Sequence, residues 1–254
     1  MIGRNGMSFA EREKAGLGRS EGIGLWCVNR GKDSCRWRTE ACKDCYNRRL
    51  SRVYPATANA WEAEGSDNVR WNSVTADAFK GLARVRLCTR GEPFSTVEDI
   101  YRIREWLTRN PSTKFWIPTR AWTTGIRHGW NYTMVEHIQR EILPLGNARV
   151  MASVDPFTAQ MLPKLQAEEW STLYFESYAI PEGFTSEVHP GSDFGNVVKC
   201  PKTWTVKKDP KTGRLAGLHG HCQTCNICFG TERVDVWLRN HSSAYSLENI
   251  KRCK

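Results

Sequence analysis

Three cysteines lie close together near the start of the chain, in the stretch CRWRTEACKDCYN at residues 35–47. Thiolates are the ligands that iron-sulfur clusters take from proteins, and zinc binds them as well. A structural metal site fills all its positions with protein ligands, whereas a catalytic site keeps one open. Cys35, Cys42 and Cys45, here called the first cysteine set, therefore predict a metal centre, and the rest of the chain must decide whether it is a structural site or one with an open position.

A second group of cysteines occupies the tail of the chain, in the stretch HCQTCNICF. The spacing C-x2-C-x2-C brings Cys222, Cys225 and Cys228 around one metal centre, as in bacterial ferredoxins. Cys200, which is followed by proline in KCPK, is the remote cysteine that completes this tail cysteine set. We favour an iron-sulfur cluster, because zinc sites more often use two separated cysteine pairs; zinc remains the alternative.

The composition limits the classes of protein that the chain can represent. It has 254 residues, 40% of them hydrophobic, which is enough for one large domain or a domain with an appendage. The first residues contain no apolar signal region, and no window approaches the roughly 18 apolar residues of a membrane span. We therefore expect a cytoplasmic protein with no membrane partner, in which the ten cysteines form no disulfide framework and the clustered ones are metal ligands or catalytic thiols.

The formal net charge of +10 makes a polyanionic partner plausible, either nucleic acid or an anionic substrate. The basic residues form no long uninterrupted run, and no recognised nucleic-acid-binding motif is present in the sequence. A basic surface that serves solubility alone explains the charge equally well. The net charge therefore does not identify the partner.

Short segments rich in β-branched and aromatic residues alternate with helical patterns along the chain. The best helix is predicted to begin at Ser95, with Glu98 completing a capping box, and others are predicted over 133–143 and over 158–170, where Pro163 interrupts. This alternation predicts an α/β protein with a mostly parallel sheet, either open or curled into a barrel. The predicted strands are 23–28, 85–89, 114–119, 148–154, 172–177 and 196–200.

Polar residues follow several of these strands, where ligands bind in parallel α/β proteins. The first strand leads to the first cysteine set and the second to RGEPF, which contains Glu92. The third ends at Thr119 and Arg120, and the fourth at Ser153 and Asp155. Taken singly, Glu92 could be a turn residue and Asp155 a helix cap. Together, beside a cysteine set, they predict one shared site.

ACKDCYN, preceded by Cys35, and RGEPF resemble motifs of the radical S-adenosylmethionine (radical SAM) superfamily, which places three cysteines ahead of a glycine-glutamate motif on a partial β/α barrel. The whole layout, with SVDP and the cysteine-rich tail, resembles the phage gene product eighty-eight family over about residues 25–241. The resemblance implies a partial barrel over residues 1–199 and an auxiliary metal-binding extension over residues 200–254. For a phage-encoded protein, the compartment is the host cytoplasm.

The resemblance also implies the cofactors. A 4Fe-4S cluster on the first cysteine set would bind S-adenosylmethionine at its open iron, and the tail cysteine set would hold a second cluster. In the superfamily an electron donor reduces the cluster, and the cofactor is cleaved to methionine and a 5'-deoxyadenosyl radical that acts on a substrate, here unknown. Glu92 with Gly91 would receive the methionine ammonium, and Tyr46 would approach the adenine. The implied cofactor-binding residues are Tyr46, Gly91, Glu92, Pro93, Ser153 and Asp155.

The chain departs from the superfamily pattern in two places. Six residues, rather than three, separate Cys35 from Cys42, and Arg90 replaces the glycine that precedes the glycine-glutamate pair. Cys27 is an alternative fourth ligand that would close the site. A second class of function therefore stays open: a non-catalytic basic protein, stapled by zinc or iron-sulfur, that binds nucleic acid.

Overall fold

An eight-stranded sheet forms the centre of the protein. The structure is a computed structural model that describes residues 7–20, 24–45, 69–125, 129–175, 197–200, 206–208, 215–217, 222 and 224–238. Its strands are β1 Gly18–Ser20, β2 Leu25–Val28, β3 Arg84–Leu87, β4 Lys114–Thr119, β5 Ala148–Val154, β6 Ser171–Phe175, β7 Val197–Lys199, β8 Val206–Lys208, β9 Leu215–Gly217 and β10 Asp235–Leu238.

The order of strands in this sheet is β1-β2-β3-β4-β5-β6-β10-β7. Seven of the strands run parallel to their neighbours, while β1 pairs antiparallel with β2. The two remaining strands, β8 and β9, form an antiparallel pair of their own. The predicted α/β class with a mostly parallel sheet is confirmed.

The strand predictions agree with the structure most closely in the middle of the sheet. β4 and β5 have the predicted bounds, because both are continuous runs of β-branched and apolar residues that are buried on both faces. β3 ends before the predicted residue 89, because Cys88 adopts φ 57°, in the left-handed region. The strand β10 was not predicted. It lies within the proposed extension of residues 200–254, yet it pairs with β6 and β7 of the main sheet.

Five α-helices flank the sheet among the described residues: α1 Phe9–Lys14, α2 Val69–Ser73, α3 Val97–Arg109, α4 Tyr132–Glu141 and α5 Leu162–Ala167. The predicted start of α3 is wrong by one residue. Thr96 is the N-cap and forms the capping box with Asp99, because the hydroxyl of Ser95 instead donates to the backbone oxygens of Ser34 and Glu92.

The helix predicted over 158–170 is shorter in the structure. Residues 159–161 form a 3₁₀ turn, and α5 begins beside Pro163 rather than being interrupted by it. Proline has no N–H to donate, and the first turn of a helix is where that donor is not needed. The helix predicted over 133–143 is present as α4, which begins one residue earlier and ends at Glu141.

The two faces of the sheet are covered by different parts of the chain. On β4, Phe115 and Ile117 join the large core beneath the helices, together with buried side chains of α3. Trp116 points to the opposite face, since side chains alternate along a strand, and it packs with Met151 and with Phe229 of the tail. The helices thus cover one face, and the cysteine-rich tail covers the other.

Candidate functional site

The first cysteine set lies at the carboxyl edge of the sheet, in the loop that follows β2. The neighbouring strands β3, β4 and β5 are parallel to β2 and end at the same edge. The segments that follow them carry Glu92, Arg120 and Asp155. The structure therefore brings these polar residues together beside the cysteines, as expected for the carboxyl ends of adjacent parallel strands.

Gly91 lies where the RGEPF loop presses against the turn that precedes Cys35. Its φ is +80°, and a Cβ at this position would stand 2.6 Å from both the Cβ of Arg30 and the Oγ of Ser34. Only glycine fits such a backbone without displacing its neighbours. The glycine of the motif therefore allows a close approach between two loops.

Further hydrogen bonds join the same two loops. The backbone N–H of Glu92 donates to Ser34 Oγ at 2.9 Å, and the indole N–H of Trp37 donates to the backbone oxygen of Phe94 at 2.8 Å. The backbone N–H of Arg30 donates to the carbonyl of Arg90 at 3.2 Å. These bonds fix the cysteine loop against RGEPF, so Glu92 is held beside Cys35.

The carboxylate of Glu92 is buried and accepts three hydrogen bonds from the protein. The Oε1 atom accepts from Thr119 Oγ1 at 2.5 Å and from the Phe94 N–H at 3.1 Å, and Oε2 accepts from the Arg120 N–H at 2.9 Å. Burial raises the pKa of Glu92 to about 7, although these bonds act to lower it. Glu92 thus closes a turn through Phe94, as a turn residue does, and also joins β3 to β4.

Arg120 and Asp155 form an ion pair that joins the ends of β4 and β5 to the cysteine loop. Arg120 bonds to the Asp155 carboxylate and to Thr39 Oγ1, and Thr39 donates to Asp155 Oδ2 at 2.7 Å. Thr39 Oγ1 lies 3.9 Å from the sulfur of Cys42. This triad of Arg120, Asp155 and Thr39 therefore stands next to the first cysteine set.

Electrostatics in this triad favours the charged forms. Burial acts to raise the pKa of Asp155, but the Arg120 guanidinium and hydrogen bonds outweigh it and hold that pKa below its usual value. Burial acts to lower the pKa of Arg120, but Asp155 and then Cys42 raise it overall. Asp155 also caps its own turn, because Oδ1 accepts from the Phe157 N–H at 2.9 Å. The capping role and a role in the site are thus combined.

The thiols of the first cysteine set interact with one another. Burial raises the pKa of Cys35 to about 12, and the nearby Glu92, Cys45 and Cys42 add to the shift. The Cys35 thiol therefore resists ionisation on its own, whereas a bound metal cation favours the thiolate form. The proximity and the donor type of these residues fit a metal that prefers sulfur.

The remaining residues of the predicted cofactor site have different positions. Ser153 is buried on β5, and its backbone oxygen accepts from the Trp122 indole N–H at 3.3 Å. Pro93 is buried, and its carbonyl accepts from Arg30 at 3.3 Å. Tyr46 lies outside the residues that the structure describes. The structure therefore positions every member of this predicted set except Tyr46.

Two further cysteines, Cys27 and Cys88, are buried in or beside the strands β2 and β3. Cys27 is on β2, where its thiol donates to the Gly18 carbonyl at 3.3 Å and accepts from Asn29 at 3.6 Å. Cys88 is 4% exposed, and its left-handed backbone ends β3. Burial raises the pKa of both thiols. Because Cys27 is already hydrogen-bonded to β1, its placement disfavours the alternative of a fourth ligand.

The tail cysteine set also lies together. Cys200 follows β7, and its N–H donates to the Trp237 carbonyl of β10 at 2.9 Å. Burial raises the pKa of Cys228, with further contributions from Cys200, Cys222 and Cys225. All four thiols are therefore near one another, on the face of the sheet opposite the helices.

Arginines of the sheet hold the backbone of this tail loop. Arg84 of β3 donates to the carbonyl of Cys225 at 2.9 Å and to that of Cys222 at 3.4 Å. Arg149 of β5 is 8% exposed and donates to the backbone oxygens of Ile227 and Glu232. These contacts satisfy carbonyls that the irregular loop cannot pair within itself.

The fit of a metal to both cysteine sets rests on donor type and proximity. Four thiols suit either zinc or an iron-sulfur cluster, and three suit a cluster with an open iron. Within the described residues, no three histidine, cysteine, aspartate or glutamate side chains adopt the geometry of a metal site. The residues present fit such a metal by their chemistry.

No protein-family model, curated protein or solved structure matches the chain. Among the described helices, none has the length and apolar character needed to cross a membrane. The function must therefore be inferred from the site itself.

Thr39, Arg84 and Arg149 were not predicted as residues of these sites. Arg120 was expected at the strand end, but its pairing with Asp155 and Thr39 depends on three-dimensional contacts. The arginines that hold the tail do carry a sequence signal. In RVRL, arginines alternate with buried apolar residues, so one face of a central strand is basic. A basic face in the middle of a sheet indicates a covering segment that supplies acceptors.

Proposed function

We propose that the protein is an iron-sulfur enzyme of the radical SAM type, which cleaves S-adenosylmethionine reductively and acts on a substrate not yet known. The observation that carries this proposal is the placement of the first cysteine set. Its loop contacts Glu92, which follows β3, and the triad, which joins that loop to the ends of β4 and β5. Three thiols with an open position, beside a buried carboxylate and a fixed arginine, suit a charged cofactor with ammonium and carboxylate groups.

The fold supports this proposal through the order of its strands. From β2 to β6 each strand lies beside the one that precedes it in the chain. A doubly wound sheet reverses its order at a switch point, whereas a barrel keeps adding strands in one direction. We propose that the sheet is a partial (β/α) barrel, whose concave face is the one that the tail covers.

A reduced four-iron cluster would supply the electron that breaks the sulfur to 5'-carbon bond of S-adenosylmethionine, giving methionine and a 5'-deoxyadenosyl radical, with an external electron donor restoring the cluster. The chain's own residues hold and orient the reactants. Cys35, Cys42 and Cys45 would be the ligands, and Glu92 would accept from the methionine ammonium through the remaining lone pair of Oε2.

The triad would have a positioning role in this arrangement. Arg120 neutralises Asp155 and fixes Thr39 beside Cys42, so the cysteine loop keeps one orientation relative to β4 and β5. Ser153 and Asp155, which lie together at the carboxyl end of β5, would lie near the ribose. The charged pair would thereby keep the metal-binding loop rigid while the cofactor binds.

The tail cysteine set would hold a second four-iron cluster, with zinc as the alternative metal. Its surroundings differ from those of the first set, since arginines of the sheet donate hydrogen bonds to its backbone. We propose that the cysteine-rich part of residues 200–254 acts as an auxiliary metal-binding extension of the barrel, while β10 from the same range completes the sheet formed mainly by residues 1–199.

A second candidate function is a metal-stapled basic protein that binds nucleic acid without catalysis. The observation that favours it is the hydrogen bonding of Glu92, whose carboxylate already accepts from Thr119, Phe94 and Arg120. A carboxylate that joins strands in this way can be wholly structural. The net charge of +10 is compatible with either candidate.

The deciding experiment is anaerobic purification followed by metal analysis and cofactor addition. The enzyme predicts about eight irons per chain, for two four-iron clusters, and an electron paramagnetic resonance spectrum that changes when S-adenosylmethionine is added to the reduced protein. Slow formation of 5'-deoxyadenosine should follow without any added substrate. A fully iron-loaded, reduced protein that neither shifts its spectrum nor cleaves the cofactor would exclude this function and favour the nucleic-acid-binding alternative.

A further inference from the structure

Arg86 stands in the sheet face that the tail covers. It belongs to β3, where the strand register places it between Cys27 of β2 and Trp116 of β4. Its guanidinium carbon lies 4.3 Å from the centroid of the Trp116 ring. Its Nε is buried, and among the described residues it has no hydrogen-bond acceptor. Burying such a donor without a partner is unfavourable, so an anionic group is expected to complete its surroundings.

The neighbouring arginines do not share this property. Arg84 and Arg149 donate to backbone carbonyls of the tail loop, so their hydrogen bonds explain why they lie in the sheet. Arg86 has the ring of Trp116 beneath it, which holds the guanidinium in place without offering its Nε a hydrogen-bond acceptor. Among these three arginines, Arg86 is therefore the one whose position in the sheet is not explained by its contacts with the protein.

The nearest candidate for the missing anion is the tail cysteine set. Arg86 lies over the Trp116 ring, and that ring packs at 6.2 Å against Phe229, which directly follows Cys228 in the chain and belongs to the same cluster. Four thiolates outweigh the 2+ charge of zinc or of an oxidised four-iron core, so either centre would carry net negative charge. A buried anionic centre requires compensating positive charge nearby.

We propose that Arg86 compensates the negative charge of a metal centre bound by Cys200, Cys222, Cys225 and Cys228. This inference rests on the tail metal site of the proposed function and adds a residue to it. Arg86 acts as a positioning and charge-compensating residue, not as a ligand. Its charge should therefore strengthen metal binding at the tail and stabilise the loaded form of the protein more than the metal-free form.

The test uses the full chain with Cys42→Ala, which leaves the tail as the complete cysteine set. Zinc ion alone is the probe, and its affinity is measured by competition with a chelator. Arg86→Gln removes the charge, and Arg86→Lys retains it. The matched control is Arg140→Gln, which removes the same charge from an arginine that is half exposed on α4 and pairs with Glu136 and Glu141.

We expect Arg86→Gln to lower the zinc affinity by about 10- to 100-fold, as is typical for groups that surround metal ligands. Arg86→Lys should stay within a few-fold of the parent, and Arg140→Gln should be unchanged. Equal affinity in Arg86→Gln and the parent would overturn the inference. An equal loss in the Gln and Lys variants would also overturn it, because shape rather than charge would then matter.

A second measurement separates charge compensation from a role in folding. Without metal, Arg86→Gln should melt no lower than the parent, since it removes a guanidinium whose buried Nε has no acceptor among the described residues. If both Arg86→Gln and Arg86→Met, which keeps an apolar contact with Trp116, fail to fold without metal, Arg86 is structural and the inference is wrong. If the parent itself binds no zinc at the tail, the tail site of the proposed function fails, and this inference fails with it.

Discussion

The side chains next to the first cysteine set could take part in chemistry, whereas those next to the tail cysteine set form hydrogen bonds to the backbone of the tail loop. Glu92, Arg120 and Asp155 surround the first set and hydrogen-bond mainly to one another's loops. Arg84 and Arg149 reach the tail and donate to its carbonyls. The contrast suggests a division of roles, in which the first set serves a reaction and the tail set maintains the fold.

The position of each set in the sheet explains this difference. The first set follows β2 at the carboxyl edge, where loops from several parallel strands meet and their polar side chains can converge. The tail set covers the sheet face that has no helices, so it takes the place of a packing layer. Phe229 packs against Trp116, with ring centroids 6.2 Å apart, and adds apolar area to that layer.

The largest expected effect separates the two sets directly. Cys225→Ala should remove the tail metal and lower the melting temperature, because a structural metal site contributes much of its binding energy to folding. Cys42→Ala should remove the metal of the first set while the tail metal and most of the stability remain. Iron content and thermal melting of the two variants measure this. Loss of all iron in Cys42→Ala, or an unchanged melting temperature in Cys225→Ala, would break the comparison.

Gly91→Ala tests how tightly the first cysteine set is joined to RGEPF. The new Cβ would clash with Arg30 and Ser34, so we expect a loss of about 1–3 kcal/mol from overpacking, in addition to about 1–2 kcal/mol for the left-handed backbone. Gly146→Ala is the matched control, since its φ is +67° and nothing lies within 4 Å of the added Cβ. Urea unfolding should give the larger loss for Gly91→Ala; equal losses would show that the two loops are loosely joined.

Glu92→Gln tests the surroundings of the first cysteine set through the pH dependence of the free energy of unfolding. The pKa of Glu92 rises in the folded state from 4.5 to about 7, so the unfolded chain loses its proton first as pH rises. The contribution of protonated Glu92 to the free energy of unfolding is therefore fully present below about pH 4.5. It is lost as pH rises to 7, by about 3 kcal/mol in total. In the metal-free protein, Glu92→Gln should remove this part of the pH dependence of unfolding.

Glu105→Gln, on the exposed face of α3, is the control for that experiment and should leave the pH profile as it is. If Glu92→Gln and the parent have the same profile between pH 4.5 and 7, the carboxylate is not held as the structure describes. In the loaded enzyme, loss of an acceptor for the methionine ammonium should lower the affinity for S-adenosylmethionine by roughly 10- to 100-fold, which corresponds to about 1.5–3 kcal/mol.

The middle of the sheet could be predicted from sequence, because β4 and β5 are long apolar runs that only a buried parallel strand accommodates. The clustering of Glu92, Arg120 and Asp155 could also be predicted, because the carboxyl ends of neighbouring parallel strands lie at the same edge of the sheet. The partners within that group could not be predicted, because Thr39 joins Arg120 and Asp155 only when the loop is folded.

The strand β10 was missed for a related reason. DVWL is short and follows a cysteine-rich loop, and its place between β6 and β7 depends on pairing with residues far along the chain. Local pattern cannot supply that information. The cap of α3 shows the same limit on a smaller scale, since Ser95 is used by Ser34 and the neighbouring Thr96 replaces it.

The smallest expected effect concerns Cys27, the alternative fourth ligand of the first cysteine set. Its thiol donates to the Gly18 carbonyl on β1, so Cys27→Ala should cost about 1 kcal/mol through the lost hydrogen bond and leave the iron content unchanged. Cys27→Ser, which keeps a donor, is the control for the hydrogen bond. If Cys27→Ala instead lost one cluster, Cys27 would be a ligand, the first set would be closed, and the proposed division between a reactive and a structural metal site would no longer hold.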